Sequence, residues 1–179
     1  MIGVLVSGNG SNLQALLDAG LPVTAVASNR KHAFALVRAR DAGVPCATFG
    51  LECHADREER DLMMATWLEE HGVELVVLAG YMHLLTPPFL RRFPDRIVNV
   101  HPSLLPAFPG AHAIRDALEA GVETTGVTVH LVDEGLDTGA VIRQEPVPLE
   151  PRETLEERIH AVEHRILPEV VRELCPIAH

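Results

Sequence analysis

The chain has little that would suit it to a nucleic-acid surface, a membrane or a disulfide scaffold. Its 15 Lys and Arg residues stand against 25 Asp and Glu, a formal net charge of -10, too acidic for the phosphate contacts on which non-specific nucleic-acid binding rests. No apolar run approaches the roughly 20 residues a membrane helix requires. The opening "MIGVLVSGNGSN" has no basic leader of the signal-peptide kind, so a cytoplasmic protein without membrane or nucleic-acid partners is expected. Cysteine is scarce: Cys46, Cys53 and Cys175 are an odd number with no close metal-ligand spacing, which suits a reducing compartment. Internal repeats, low-complexity segments and Ser/Gly-rich linkers are also missing. With 179 residues, 47% of them hydrophobic, a single domain over 1–179 with one well-buried core is expected.

What is present is an alternation of short apolar runs with helical segments. The runs "IGVLV", "PVTAVAS", "VPCATF", "VELVVLAG", "RIVNV", "TGVTVHLV" and "AVIRQEPV" read as strands, and "SNLQALLDAG" and "HAFALVRARDAG" have helical period. "VELVVLAG" lacks polar alternation, which implies burial on both faces and a parallel sheet between helices. The last two strands lie close enough for a hairpin or edge pair. Leu155, Ile159, Val162, Ile166 and Val170 recur at three- and four-residue intervals and mark a long amphipathic helix. The expected fold is α/β, a Rossmann-like three-layer sandwich with a mostly parallel sheet of about seven strands.

Ligands of such sheets bind at the carboxyl ends of the strands, which directs attention to four loops. "SGNGSN" follows the first strand and opens a helix, where outward backbone N–H groups attract phosphate. It is half of the dinucleotide fingerprint, but Leu13 replaces the third glycine and the next strand ends in "SNRK" without an acidic ribose ligand, so a nicotinamide site is not expected. A ligand-free turn capped by Ser11 is the plain alternative. In "NVHPSLLP", Asn99 and His101 point to one side of the strand, and Pro102 forces the chain to turn. Both side chains could simply satisfy loop backbone groups. In "DEGLDTG", Asp137 stands between Gly135 and Gly139, able to approach His101 and favour its charged form, or to serve only as a polar turn. "HAVEH", His160 to His164, matches a zinc-peptidase pattern, but no later helix offers a third ligand, and no metal is expected.

Assembled, these loops resemble the phosphoribosylglycinamide formyltransferase family of folate-dependent enzymes. The likeness is carried by "VLVSGNGSNLQALL", "VVLAGYMHLLTPPFL", "NVHPSLLPAFPGAHAIRDALEAG", "GVTVHLVDEGLDTGAVI" and "VEHRILPEVV". "HPSLLP" occurs across formyltransferases at large, while "SGNGSN" narrows the match to the glycinamide ribonucleotide branch. The resemblance implies a monomer or homodimer whose small-molecule partners are glycinamide ribonucleotide and, as co-substrate, 10-formyltetrahydrofolate. It implies that Asn99, His101 and Asp137 are catalytic, that Asn9, Gly10, Ser11 and Asn12 bind the ribose phosphate, and that Met82, Pro102 and Glu163 receive the glycinamide. For the folate it implies Arg57, His83, Leu84, Leu85, Asn99, Val132, Asp133 and Asp137. His83 replaces an arginine common in the family and Ala107 a lysine, and the chain stops soon after the long helix. The alternatives are a formyltransferase for another amine, such as an amino sugar nucleotide, and a folate- or nucleotide-binding regulator without catalysis.

Overall fold

The structure, a computed structural model, describes residues 1–175. Seven strands form one sheet in the order β3-β2-β1-β4-β5-β6-β7: β1 (Ile2–Val6), β2 (Val23–Ser28), β3 (Cys46–Thr48), β4 (Leu75–Leu78), β5 (Ile97–His101), β6 (Thr124–Leu131) and β7 (Val141–Pro148). The first five are parallel. The last two run antiparallel to their neighbours, which matches the expected mostly parallel sheet.

Strand side chains alternate between faces, and here each face meets its own helices. Val4, Val6 and Val77 join Leu13 and Leu16 of α1 (Ser11–Asp18), Leu36 of α2 (Phe34–Asp41) and Ile159 and Ile166 of α6 (Leu155–Leu174). Leu5, Val76 and Ile97 join Met64 and Leu68 of α3 (Arg57–Glu70) and Phe89 of α4 (Pro87–Arg92). The remaining helix, α5 (Ala113–Ala120), adds Ala117 to the first layer. The long amphipathic helix read from the spacing is α6, and it continues through a buried Pro168.

Local chemistry sets the ends of these elements. The Asp56 carboxylate accepts from the Glu59 N–H at 2.9 Å and the Glu59 side chain accepts from Ala55 N–H at 2.5 Å, a reciprocal pair that fixes the start of α3. Pro87 supplies the preset φ for the first turn of α4. The start of α1 differs from expectation. Gly10, with φ +78°, is its cap and no side chain caps the helix, so Ser11 is its first residue rather than its cap.

Strand order reverses at β1: the chain moves outward to β2 and β3, then returns to place β4 on the other side. The loops after β1 and β4 therefore diverge and leave a crevice at the carboxyl ends.

Candidate active site

A cavity of about 580 Å³ fills that crevice. Every residue expected in the site lines it except Arg57, which is the first residue of α3 and exposed. The wall combines the polar loop 9–12 with the exposed apolar side chains of Met82, Leu84 and Leu136. Such a surface can hold a flat ring at one end and a polar group at the other.

The loop after β1 is held from behind. Arg38 of α2 donates from Nε to the Asn9 carbonyl at 2.8 Å and from Nη2 to its side-chain oxygen at 2.9 Å. Ala35 N–H donates to the Gly8 carbonyl at 3.1 Å. A Cβ on Gly10 would lie 2.5 Å from the Ala35 Cβ and 2.8 Å from its Cα. This glycine is thus required by its left-handed backbone and by α2 packing, not only by ligand approach. Asn12 reaches the opposite wall, where its Nδ2 donates to Glu163 Oε2 at 3.2 Å. Burial pushes the Glu163 carboxyl above its ordinary value, with His160 and Asn12 opposing.

The Asn–His pair lies where β5 meets β6. Asn99 faces His130 and His101 faces Thr128 in the ladder. Thr128 pins the proline-rich turn: its hydroxyl donates to the Ser103 carbonyl at 2.7 Å and accepts from Leu105 N–H at 3.1 Å. His101 Nε2 donates to the Phe108 carbonyl at 2.7 Å, and its Nδ1 lies 3.5 Å from Asp137 Oδ2. Both ring nitrogens face acceptors, one the Phe108 carbonyl and the other the Asp137 carboxylate.

Asp137 has φ +54° and also accepts from Gly110 N–H at 2.8 Å. His130, beside it, is the largest influence holding its carboxyl below the ordinary range, with Gly110 N–H and His101 adding to the effect and burial opposing. The flanking glycines are needed, since a Cβ on Gly139 would overlap the Leu131 carbonyl.

His130 went unnoticed in the sequence because it sits inside an apolar run. Its Nδ1 donates to the Leu131 carbonyl at 2.8 Å. Nε2 faces Asn99 Nδ2 at 3.2 Å and Asp137 Oδ1 at 3.7 Å. The ring thus touches two of the three residues proposed as catalytic. Its one sequence signal is the offset from Asn99 in the paired strands.

His83 lines the cavity, but its nitrogens are engaged. The buried Arg60 donates from Nη1 to Nδ1 at 2.7 Å, and Nε2 lies 3.3 Å from the Asn29 amide. Burial, then the Arg60 charge, push the His83 pKa down, so the neutral ring offers no charge to an anion. Arg60 in turn donates from Nε to Asp61 at 2.8 Å. The "HAVEH" residues divide: Glu163 and His160 line the cavity. The two histidine rings lie 6.2 Å apart, and among the described residues no group of three or more His, Cys, Asp or Glu is placed to hold a metal ion.

The sequence profile of a family described as formyl transferase matches residues 1–171. The chain is 46% identical over 180 residues to a protein of Mycobacterium tuberculosis named phosphoribosylglycinamide formyltransferase, covering 96% of this chain and 83% of that one. It is 44% identical over 182 residues to the trifunctional purine biosynthetic protein adenosine-3 of Chironomus tentans, where the match takes in 96% of this chain but spans only 13% of the longer protein. Among solved structures, glycinamide ribonucleotide transformylase 1 of Symbiobacterium toebii superposes with a TM-score of 0.93 at 48% identity, over 96% of this chain and 85% of that one.

Proposed function

Since the chain belongs to the formyl transferase family, we propose that it transfers the formyl group of 10-formyltetrahydrofolate to the amine of glycinamide ribonucleotide, a step of purine synthesis carried out in the cytoplasm by one domain over 1–179. The observation that carries this reading is the meeting, in one cavity, of the Asn99, His101 and Asp137 cluster with the open backbone loop 9–12.

In the reaction the amine lone pair attacks the formyl carbon, and the carbonyl electrons move to oxygen. The tetrahedral species carries an oxyanion and a protonated nitrogen. Collapse returns the oxyanion electrons to the carbonyl, breaks the bond to the folate N10, and leaves N10 with the proton given up by the amine. Asn99 Nδ2 has one hydrogen directed at His130 and a second free for the oxyanion. His101, with its charge supported by Asp137, stabilises the same oxygen and assists the proton's passage to N10. Asp137 acts through His101. One oxyanion donor is worth about 10²–10³ in turnover.

The N–H groups of residues 10–12 at the start of α1 receive the phosphate. Glu163, with Met82 and Pro102 beside it, receives the glycinamide end, where the ionised carboxylate attracts the ammonium form and, its pKa raised by burial, takes the ammonium proton to leave a neutral amine that reacts. Leu84, Leu85 and the turn from Val132 to Asp137 take the pterin.

The test is to incubate the protein with 10-formyltetrahydrofolate and glycinamide ribonucleotide, and to follow tetrahydrofolate and the formylated product by mass spectrometry. Equal amounts of both are expected, with no loss of donor when the ribonucleotide is left out. Donor loss without acceptor indicates a hydrolase, and product only with an amino sugar nucleotide indicates a different acceptor. Either result overturns the reading.

A further inference from the structure

Arg60 and Asp61 are neighbours on α3, and both side chains are wholly buried. Arg60 Nε donates to Asp61 Oδ1 at 2.8 Å. A buried ion pair adds little to stability, because the loss of hydration offsets most of the attraction, and apolar side chains of similar size often serve as well. Arg60 Nη2 is also buried without a hydrogen-bond partner among the described residues, which adds to the cost. Stability alone explains the pair poorly.

Its other hydrogen bonds go to one place. Asp61 Oδ2 accepts from Thr86 N–H at 2.8 Å, and Arg60 Nη1 donates to His83 Nδ1 at 2.7 Å. Both partners belong to the loop 80–86 between β4 and α4, which puts Met82, His83, Leu84 and Leu85 on the cavity wall. Among the described residues no backbone group of 80–85 bonds another backbone group. Side chains from outside hold this loop instead: the Ser7 hydroxyl accepts from Met82 N–H at 2.9 Å, the Asn29 amide lies 3.3 Å from His83 Nε2, and the ion pair ties the loop to α3.

The loop has a register to choose. Tyr81 and Leu85 are buried in the apolar cluster of Met64 and Leu68, whereas Met82 and Leu84 are 55% and 53% exposed. With apolar residues on both sides of His83, hydrophobicity alone does not select which of them face the core. Directional hydrogen bonds at His83 and Thr86 do. Resting on the folate reading above, we propose that Arg60 and Asp61 are positioning residues for the formyl donor, holding loop 80–86 in the register that presents Met82 and Leu84 to the cavity and keeps Tyr81 in the core. Neither residue lines the cavity, and both act through His83 and Thr86.

The test replaces the pair together, Arg60→Met with Asp61→Leu, because either change alone strands a buried charge. The double variant should unfold within a few degrees of the unsubstituted protein, while KM for 10-formyltetrahydrofolate rises about 10-fold or more, the worth of one hydrogen bond to a charged group. The values of kcat and of KM for glycinamide ribonucleotide should stay within about threefold. His83, followed by NMR, should titrate at higher pH, since the Arg60 charge that helps to hold its pKa down is gone. Arg60→Lys keeps a cation beside Asp61 but lacks the fork that reaches His83 as well; it should fold and raise the donor KM by a smaller factor, which decides the matter if the double variant does not fold. A donor KM unchanged in a folded variant, or a ribonucleotide KM that rises equally with it, overturns the proposal. Calorimetric binding of tetrahydrofolate separates the failures. If the unsubstituted protein does not bind it, the folate reading falls and the positioning role with it; if the unsubstituted and double-variant proteins bind it alike, the positioning role alone falls.

Discussion

Asn99 and His130 face each other across the β5–β6 ladder with Asn99 Nδ2 3.2 Å from His130 Nε2. Because His130 Nδ1 donates to the Leu131 carbonyl at 2.8 Å, Nε2 is the nitrogen left facing Asn99 and Asp137, and its contact with the Asn99 amide fixes which way that amide points. His130 is therefore a positioning residue. His130→Phe should keep the fold and lower kcat by about 10-fold or more, since a misplaced donor is a poor oxyanion partner. His130→Gln, which can still accept from Asn99, should recover part of the loss. Equal kcat in the two variants would show that the ring only fills space.

The two glycines of the first loop should separate structure from binding. Gly10→Ala meets both a left-handed backbone and Ala35, so thermal unfolding should show a loss of at least about 1–2 kcal/mol. A Cβ on Gly8 meets nothing within 4 Å, so Gly8→Ala should leave Tm unchanged. Its KM for the ribonucleotide is the informative quantity, and a rise there with normal folate KM would support the phosphate assignment.

Glu163 links binding to pH. Its folded-state pKa is raised by burial, so its contribution to stability is fully present below the unfolded value near 4.3 and is lost as pH rises through the folded value. Glu163→Gln imitates the protonated carboxyl. The Tm difference between this variant and the unsubstituted protein should therefore grow in the variant's favour as pH rises through that window, while KM for glycinamide ribonucleotide rises. A Tm difference that does not vary with pH would contradict the burial effect.

Asp137 has the opposite sign. Its folded-state pKa is lowered, first by His130, so it stabilises above the unfolded value near 3.9 and that stability is lost as pH falls through the folded value. Asp137→Asn should remove this part of the acid sensitivity. Urea unfolding at a series of pH values between about 2 and 6 would detect it.

Much of the fold was readable because one physical rule, continuous apolar runs for strands buried on both faces, held for β1, β4 and the second half of β2, while the edge strand β3 is only partly buried. The loops at the strand ends followed from it, and so did the cavity. Long-range partners were not readable. His130 reads as one more residue of a buried strand until the antiparallel register sets it opposite Asn99. Arg38 and Arg60 lie in helical segments where an arginine is ordinarily a solvated charge, yet one clamps Asn9 and the other is buried against His83. Gly10 was read for its ligand side alone because the packing of α2 behind it depends on a crossover that periodicity does not specify. Asp137 pairs with His101 on the strength of its glycine-flanked turn, and the two side chains lie 3.5 Å apart.

That Asp137 acts on the reaction through His101 is the centre of the mechanism, and the kinetics of His101→Ala, Asp137→Asn and the double variant test it most directly. Saturating substrates and one pH for all three proteins make kcat comparable. Each single variant should lose about 10²-fold or more, and the double variant should be no slower than His101→Ala, since groups that work as a unit do not add. Losses that multiply in the double variant would contradict the mechanism, because Asp137 would then act on the reaction independently of the imidazole beside it.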